Sequence, residues 1–187
     1  RGNWASDLDV PLASEAGGDF EYLFFVGSPG SYDDHGKKVS RALVTILKAA
    51  GVKIAILGPE ELSSGDAVRR LGNEYLYQML AQQNVETMNG YGVKKVVTNC
   101  PHVYNTIKNE YPDFGGEYEV VHGTQLVAEL VRKGRVKLTT SLNLDLAYHD
   151  PCYLGRHNGV FEEPRDVLRK VPGLELIEMQ ASRMDSL

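Results

Sequence analysis

Cysteine is scarce in this chain, since its 187 residues include only Cys100 and Cys152. Two cysteines cannot build the disulfide framework of a small secreted domain, so we expect a reducing, intracellular location. Positive charge is also in deficit, with 20 Lys and Arg against 25 Asp and Glu, which gives a net charge of −5. This balance argues against a nucleic-acid partner and against a polybasic membrane-binding surface.

Long apolar runs are missing as well. No stretch reaches the roughly 20 residues that span a bilayer, and no secretory signal is visible, so we expect this segment not to cross a membrane. The hydrophobic fraction of 42% is still enough for a sizeable core. Residue 1 is Arg rather than Met, which predicts a processed chain or a piece of a longer one.

The sequence does contain a regular alternation of apolar strands and amphipathic helices. The predicted strands cover residues 22–26, 53–57, 93–97 and 118–121. The predicted helices cover residues 36–50, 67–88, 104–110 and 124–133. Such alternation predicts an α/β fold, a parallel sheet with helices on both faces. In the long helix 67–88 we expect Asp66 to be the N-cap and Tyr75, Leu76, Met79 and Leu80 to be buried.

The same pattern restarts near residue 141. Residues 144–148 form an apolar strand like 22–26, residues 151–155 stand where 27–31 stood before, and a helix is predicted from about Pro164. We therefore predict a linker or surface arm at residues 1–20, one complete α/β unit at 21–140, and the beginning of a second, truncated copy at 141–187.

Both cysteines follow predicted strands. Cys100 lies in Thr98-Asn99-Cys100-Pro101-His102, and Cys152 lies in Tyr148-His149-Asp150-Pro151-Cys152-Tyr153. Loops that leave the carboxyl ends of strands are where α/β proteins usually bind ligands. The two thiols are therefore candidate metal or redox ligands, and simple packing of a small buried side chain is the alternative.

Five stretches carry a more specific resemblance. They cover residues 57–61, 65–76, 89–95, 108–112 and 148–157, the last reading Tyr-His-Asp-Pro-Cys-Tyr-Leu-Gly-Arg-His. Together they resemble the cysteine-rich CCG domains found in heterodisulfide reductases and their relatives. Within that superfamily the chain is most similar to the bacterial membrane-associated iron–sulfur oxidoreductases, which pass electrons between flavoproteins and quinones or thiols.

The resemblance implies where cluster ligands belong. Each CCG unit supplies cysteines after its first, second and third strands, and those thiolates hold iron–sulfur clusters. The matching positions here are Ser28, Ser63, Cys100 and Val103 in the first unit and Cys152 in the second. The family implies a 4Fe-4S cluster with Cys100 and Cys152 as surviving ligands, although a serine is a weaker ligand and a valine cannot coordinate. The Cys-Cys-Gly of the second unit would fall directly after residue 187.

Other interpretations of the same loops stay open. Cys100, His102, His149 and Cys152 form a two-Cys, two-His set that suits tetrahedral zinc if both loops meet. Otherwise His102 and His149 are packing residues or neighbours of the ligands. Cys152 is also a candidate reactive thiol, activated by His149 or by His157.

Two further features suggest anion or partner contacts. Residues 27–31 either cradle a phosphate ahead of a helix or form a turn inherited from a cluster-binding loop. Arg69 and Arg70 stand at a predicted helix start, where cations oppose the helix dipole, and Arg156 and His157 follow Cys152. These four side chains face either an anion, a partner surface or solvent.

The resemblance implies a fragment or subunit of an iron–sulfur oxidoreductase. Electrons would pass from a flavoprotein or ferredoxin-type donor to a quinone or thiol/disulfide acceptor. The implied partners are a ferredoxin-like domain, an electron-transfer flavoprotein and a membrane module, at the cytoplasmic face of the membrane. The competing hypothesis is a cluster-free scaffold or interaction domain within a respiratory or redox complex.

Overall fold

The computed structural model of the chain describes residues 2–186, so residues 1 and 187, at the ends of the predicted arm and of the predicted second unit, lie outside it. The chain divides into two compact units, one running to His122 and the other beginning at Gly123. The predicted boundary between residues 140 and 141 falls later in the sequence.

The first unit is built on a four-stranded parallel sheet. Its strands are β1 (Tyr22–Phe24), β2 (Ile54–Ala55), β3 (Lys95–Thr98) and β4 (Glu119–His122), in the order β2-β1-β3-β4. Leu23 pairs with Ala55 on one side and with Val96 on the other. Leu23, Phe24, Val96 and Val97 have no exposed surface, as expected of parallel strands covered on both faces. The predicted α/β class is confirmed.

The described residues of this unit form six α-helices. They are α1 (Ala13–Ala16), α2 (Gly27–Tyr32), α3 (Asp34–Ala49), α4 (Asp66–Arg70), α5 (Glu74–Gly90) and α6 (Pro101–Asn109). Short 3-10 turns cover Gly2–Ala5, Gly58–Glu60 and Tyr111–Phe114. In α3 the Asp33 carboxylate accepts a hydrogen bond from the Gly36 amide, an N-cap, and Leu43, Val44 and Leu47 form the buried face at helical spacing.

The predicted long helix is in fact two helices, α4 and α5. The break falls at Gly72, whose φ of 87° is left-handed, and α5 restarts where the Asn73 side chain accepts a hydrogen bond from the Leu76 amide at 3.0 Å. The predicted buried face was therefore wrong: Tyr75 is 76% exposed, while Tyr77 is fully buried. Restarting at Asn73 sets the rotation of α5, and one residue corresponds to about 100° around a helix.

The amino-terminal segment packs on the first unit. The Trp4 ring is buried and meets the Phe24 ring edge-on, with 5.8 Å between their centroids. The Ala13 amide donates a hydrogen bond to the Ile56 carbonyl at 2.8 Å. The predicted arm thus adds a packed layer next to β1 and β2.

The second unit contains α7 (Gly123–Arg132), β5 (Leu144–Ala147), α8 (Glu162–Arg169) and β6 (Leu174–Ile177). Strands β5 and β6 run parallel, with Leu146 opposite Leu176. The order strand, loop, helix, strand matches the predicted restart of the pattern. Within the described residues, the helices all fall short of the length and apolar character needed to cross a membrane.

Candidate functional site

A cavity of about 610 Å³ opens at the carboxyl edge of the four-stranded sheet. Its walls come from the start of α2 after β1, from the segment between β2 and the end of α4, and from Cys100 and the start of α6 after β3. The lining residues are Gly27, Ser28, Pro29, Ser63, Ser64, Asp66, Ala67, Arg70, Leu71, Cys100, His102 and Val103. This is the edge at which open α/β sheets bind ligands.

The cavity brings together the four positions of the first unit at which the resemblance places thiolates. Ser28 lies after β1, Ser63 after β2, and Cys100 and Val103 after β3, and all four line the same space. Parallel strands deliver such residues to one edge because their carboxyl ends all point the same way. The role of these positions as ligand sites stays a prediction, while their convergence is observed.

Cys100 is the one thiol in this cavity. It is the N-cap of α6, and its side chain forms no capping hydrogen bond. Burial raises the pKa of the Cys100 thiol, because the low-dielectric surroundings penalise the thiolate more than the nearby backbone N–H groups of Val103 and His102 favour it. In the absence of a cation, this sulfur therefore remains a neutral thiol.

A network of ion pairs lies on the side of the cavity next to α4. His102 Nδ1 is 2.8 Å from an Asp66 oxygen, and Arg70 Nε donates to the other Asp66 oxygen at 3.1 Å. Arg69 Nη1 donates to Glu110 at 2.7 Å, and Arg70 also pairs with Glu110. The two arginines predicted to meet an anion or a partner thus already have carboxylate partners, and the external contact stays a prediction.

Glu61 is a site residue that sequence reasoning missed. Its carboxylate is 2% exposed and accepts hydrogen bonds from the Val26 and Gly27 amides, both at 2.8 Å. Residues 27–31 are thus neither a turn nor an open phosphate loop, because they form most of α2 and Glu61 occupies the amides at its start. The sequence feature that could have pointed to Glu61 is the acidic end of the 57–61 stretch. No sequence pattern indicates that its partners are the Val26 and Gly27 amides.

His122 is a second residue that was missed. It lies at the end of β4, where its Nε2 is 3.0 Å from the carbonyl oxygen of Asn99, next to Cys100. Burial lowers the pKa of His122 to about 4, so the ring is neutral near pH 7 and its Nε2–H donates to that carbonyl. The imidazole thereby fixes the loop that carries Cys100.

The loop of the second unit presents Cys152 on the surface. Arg156 Nη2 donates to the Cys152 sulfur at 2.6 Å. The neighbouring Asp150 is buried and is held by both terminal nitrogens of Arg165, at 2.6 and 2.7 Å, so its charge is compensated. The Arg165 guanidinium lowers the pKa of that carboxyl.

The two histidines of this loop point to different neighbours. His149 Nδ1 lies 3.2 Å from the hydroxyl of Ser186, and the His157 ring stacks on Tyr153 at 4.7 Å between centroids. Among the residues predicted to act with Cys152, Arg156 is the one for which the structure shows a direct contact with the sulfur.

The predicted zinc set draws its four residues from both units of the chain, and it stays a prediction. Cys100 and His102 belong to the first unit, whereas His149 and Cys152 belong to the second. Across residues 2–186, no group of three or more His, Cys, Asp or Glu side chains is placed to hold a metal ion.

Comparison with known proteins identifies the family. The model of a cysteine-rich domain, CCG, matches residues 22–108 and 146–186. The chain belongs to this CCG family. The matched ranges contain every position that the resemblance singled out as a cysteine site.

Similar proteins are iron–sulfur oxidoreductases and components of related redox complexes. The chain is 48% identical to the probable iron-sulfur-binding oxidoreductase FadF of Bacillus subtilis, over 98% of this chain and 27% of that protein. It is 51% identical to the EtfAB:quinone oxidoreductase of Syntrophomonas wolfei, over 98% of this chain and 26% of that protein. It is 35% identical to one of the subunits of the dihydromethanophenazine:CoB–CoM heterodisulfide reductase of Methanosarcina mazei, over 96% of this chain and 44% of that protein.

The chain thus spans about a quarter of the length of the first two relatives. No solved structure is similar enough to the chain to count as a match.

The first CCG unit does not fit a four-iron cluster held in the usual way. Such a cluster takes four thiolates, and the cavity offers one thiol, two hydroxyls and an isopropyl group at the four ligand positions. At these four positions the first unit therefore lacks the ligand chemistry that the family resemblance implies.

Proposed function

We propose that the chain is the CCG region of a longer iron–sulfur oxidoreductase and serves electron transfer there. The observation that carries this proposal is the convergence of Ser28, Ser63, Cys100 and Val103 on one cavity at the sheet edge. The parallel sheet brings these positions to one edge, and they are the positions where the family resemblance places thiolates.

The names of the relatives support a finer version of the proposal. A flavoprotein or ferredoxin-type protein is the electron donor, and a quinone or a thiol/disulfide pair is the acceptor; the relatives include an EtfAB:quinone oxidoreductase and a component of a heterodisulfide reductase. A ferredoxin-like domain and a membrane module complete the complex at the cytoplasmic face of the membrane. A further relative, from Chromohalobacter salexigens, is called a probable membrane-anchored ferredoxin.

Within this proposal the two units have different parts. The first unit acts as a scaffold, because its ligand positions no longer suit a 4Fe-4S cluster. Cys152 of the second unit is the remaining candidate ligand, and it is exposed. A four-iron cluster bound by Cys152 needs further cysteine ligands from outside these 187 residues, because they contain only two cysteines.

The alternative is that the whole chain is a cluster-free scaffold. Val103 is compatible with it, because this position is 4% exposed and its side chain packs in the wall of the cavity. Both hypotheses give the first unit the same role, and they differ only in whether Cys152 binds iron.

Restoring the thiolates tests the convergence. We would prepare the chain and its Ser28→Cys, Ser63→Cys, Val103→Cys triple variant without oxygen, supply iron and sulfide, and measure both per chain. We expect essentially no bound iron in the native chain and about four irons in the triple variant. The matched control adds Cys100→Ser to the triple variant and should lose most of the iron.

The outcomes separate the hypotheses. A folded triple variant that binds no iron would show that the four positions do not form a cluster site, and the proposal would fail. About four irons in the native chain would instead contradict the scaffold role of the first unit. In the longer protein, a cluster signal in electron paramagnetic resonance that Cys152→Ser removes would support electron transfer, and its persistence in that variant would favour the cluster-free interpretation of this chain.

A further inference from the structure

The cavity at the sheet edge has the lining of a small-molecule site. Val103 and Gly27 are buried in its wall, and Pro29, Ala67 and Leu71 are exposed apolar residues around it. Its volume of about 610 Å³ lies inside the range of roughly 300 to 1,000 Å³ that ligand pockets usually have. A mostly apolar wall with a few polar groups is the usual composition of such pockets.

The charges on the wall cancel. Asp66 and Arg70 are the lining residues with a permanent charge, and their side chains pair at 3.1 Å. Asp66 is further engaged by His102 at 2.8 Å. Because the wall presents no net charge, it offers no electrostatic gain to an ion that would lose its hydration on entering.

Hydrogen-bonding capacity is available at one wall. The Ser63 hydroxyl oxygen accepts a hydrogen bond from the Gly65 amide at 3.3 Å, and a hydroxyl has one further acceptor site and one donor. The Cys100 thiol lines the same space and adds a polarisable, weakly hydrogen-bonding surface. An oxygen atom of a ligand can therefore be recognised here without a charge.

We propose that this cavity binds a neutral, mostly apolar organic molecule that carries a hydrogen-bonding oxygen. The apolar body contacts Val103, Ala67 and Leu71, and the oxygen pairs with the hydroxyl of Ser63. The site stands where the family places a cluster, and its present lining suits an organic ligand in place of iron. This inference goes beyond electron transfer and does not depend on whether Cys152 binds iron.

The two cysteines provide a built-in assay. Cys100 lines the cavity, whereas Cys152 is exposed in the other unit. We would treat the chain with iodoacetamide at mildly alkaline pH, where enough of the Cys100 thiol is ionised to react, with and without 2-naphthol as the probe, and follow alkylation of each cysteine by peptide mass spectrometry. At a probe concentration ten times the dissociation constant, alkylation of Cys100 should slow about tenfold, while that of Cys152 should not change.

A blocked cavity and a charged probe supply the controls. Ala67→Phe places a ring at an exposed position of the lining and should remove the protection, whereas Ala42→Phe, at an exposed position of α3, should leave it intact. Ser63→Ala should weaken the protection without abolishing it. The carboxylate probe 2-naphthoate should protect poorly, since the wall offers it no net positive charge.

Three results would overturn the proposal. The first is the absence of saturable protection of Cys100 by 2-naphthol. The second is equal protection of Cys152, or protection that survives Ala67→Phe, which would show binding elsewhere. The third is better protection by 2-naphthoate than by 2-naphthol, which would show that the cavity selects anions.

Discussion

Replacing Glu61 with glutamine should markedly lower the free energy of unfolding of the first unit, because the Glu61 carboxylate is buried and accepts two backbone hydrogen bonds. The buried carboxylate accepts two hydrogen bonds, from the Val26 and Gly27 amides, both at 2.8 Å. A glutamine has one oxygen, so one bond survives and the other amide faces the NH₂ group, which is also a donor. One lost charge-assisted bond and one unpaired buried donor together cost about 2–4 kcal/mol.

The sole tryptophan makes this measurable in the first unit. Trp4 is buried against Phe24, so its fluorescence during guanidinium unfolding reports on this unit, and linear extrapolation gives the free energy of unfolding. The matched control is Glu60→Gln, because Glu60 is exposed and accepts a hydrogen bond from the Tyr91 hydroxyl. That change should cost less than about 1 kcal/mol. Equal, small losses for both variants would refute the role assigned to the Glu61 carboxylate.

Three other predictions concern single residues. Arg165→Met leaves the buried Asp150 carboxylate without its bidentate partner and should cost about 3–5 kcal/mol, seen as faster amide exchange in β5 and β6, whereas Arg169→Met removes only exposed pairs and should cost under about 1 kcal/mol. His122 has a pKa of about 4 in the folded chain against 6.5 for a free side chain, so its stabilising effect is full above pH 6.5 and is lost as the pH falls toward 4. The loss amounts to about 3 kcal/mol, and His122→Gln should remove that pH dependence of tryptophan-monitored unfolding. Asn73→Ala removes the cap of α5 and should cost about 0.5–2 kcal/mol by the same unfolding assay, with less effect if the backbone break at Gly72 alone starts the helix.

The strands could be located from the sequence because each contains a core of apolar residues, as in the fully buried Tyr-Leu-Phe of β1. The predictions of 93–97 and 118–121 lie within two residues of β3 and β4, although both ranges also include charged residues at half-buried or exposed positions. Helix α2 escaped prediction because its sequence, Gly-Ser-Pro-Gly-Ser-Tyr, has the composition of a turn. Its first amides are satisfied by Glu61, more than 30 residues later in the chain, a contact that no local pattern contains.

In the candidate site, too, the features set by sheet topology were predictable from the sequence, and the long-range contacts were not. Topology was enough to expect Ser28, Ser63 and Cys100 at one edge, since each follows a parallel strand. The side-chain contacts that hold the segments carrying these three residues could not be predicted from topology. Glu61 and His122 act on residues 34 and 23 positions away, and their chemistry in the folded chain is set by burial, which depends on the completed fold.

Ligand chemistry and folding are separable in the first unit because different side chains serve them. The core rests on Leu23, Phe24 and Val97, none of which lines the cavity. At the positions where the family resemblance places thiolates, Val103 packs in a buried part of the wall, and the half-buried Ser28 and Ser63 keep polar groups where the wall meets solvent. The loops themselves are fixed by Glu61 and His122, which do not line the cavity. Substitutions at these positions are therefore expected to cost little folding free energy, because the core and the side chains that anchor the neighbouring segments do not depend on them.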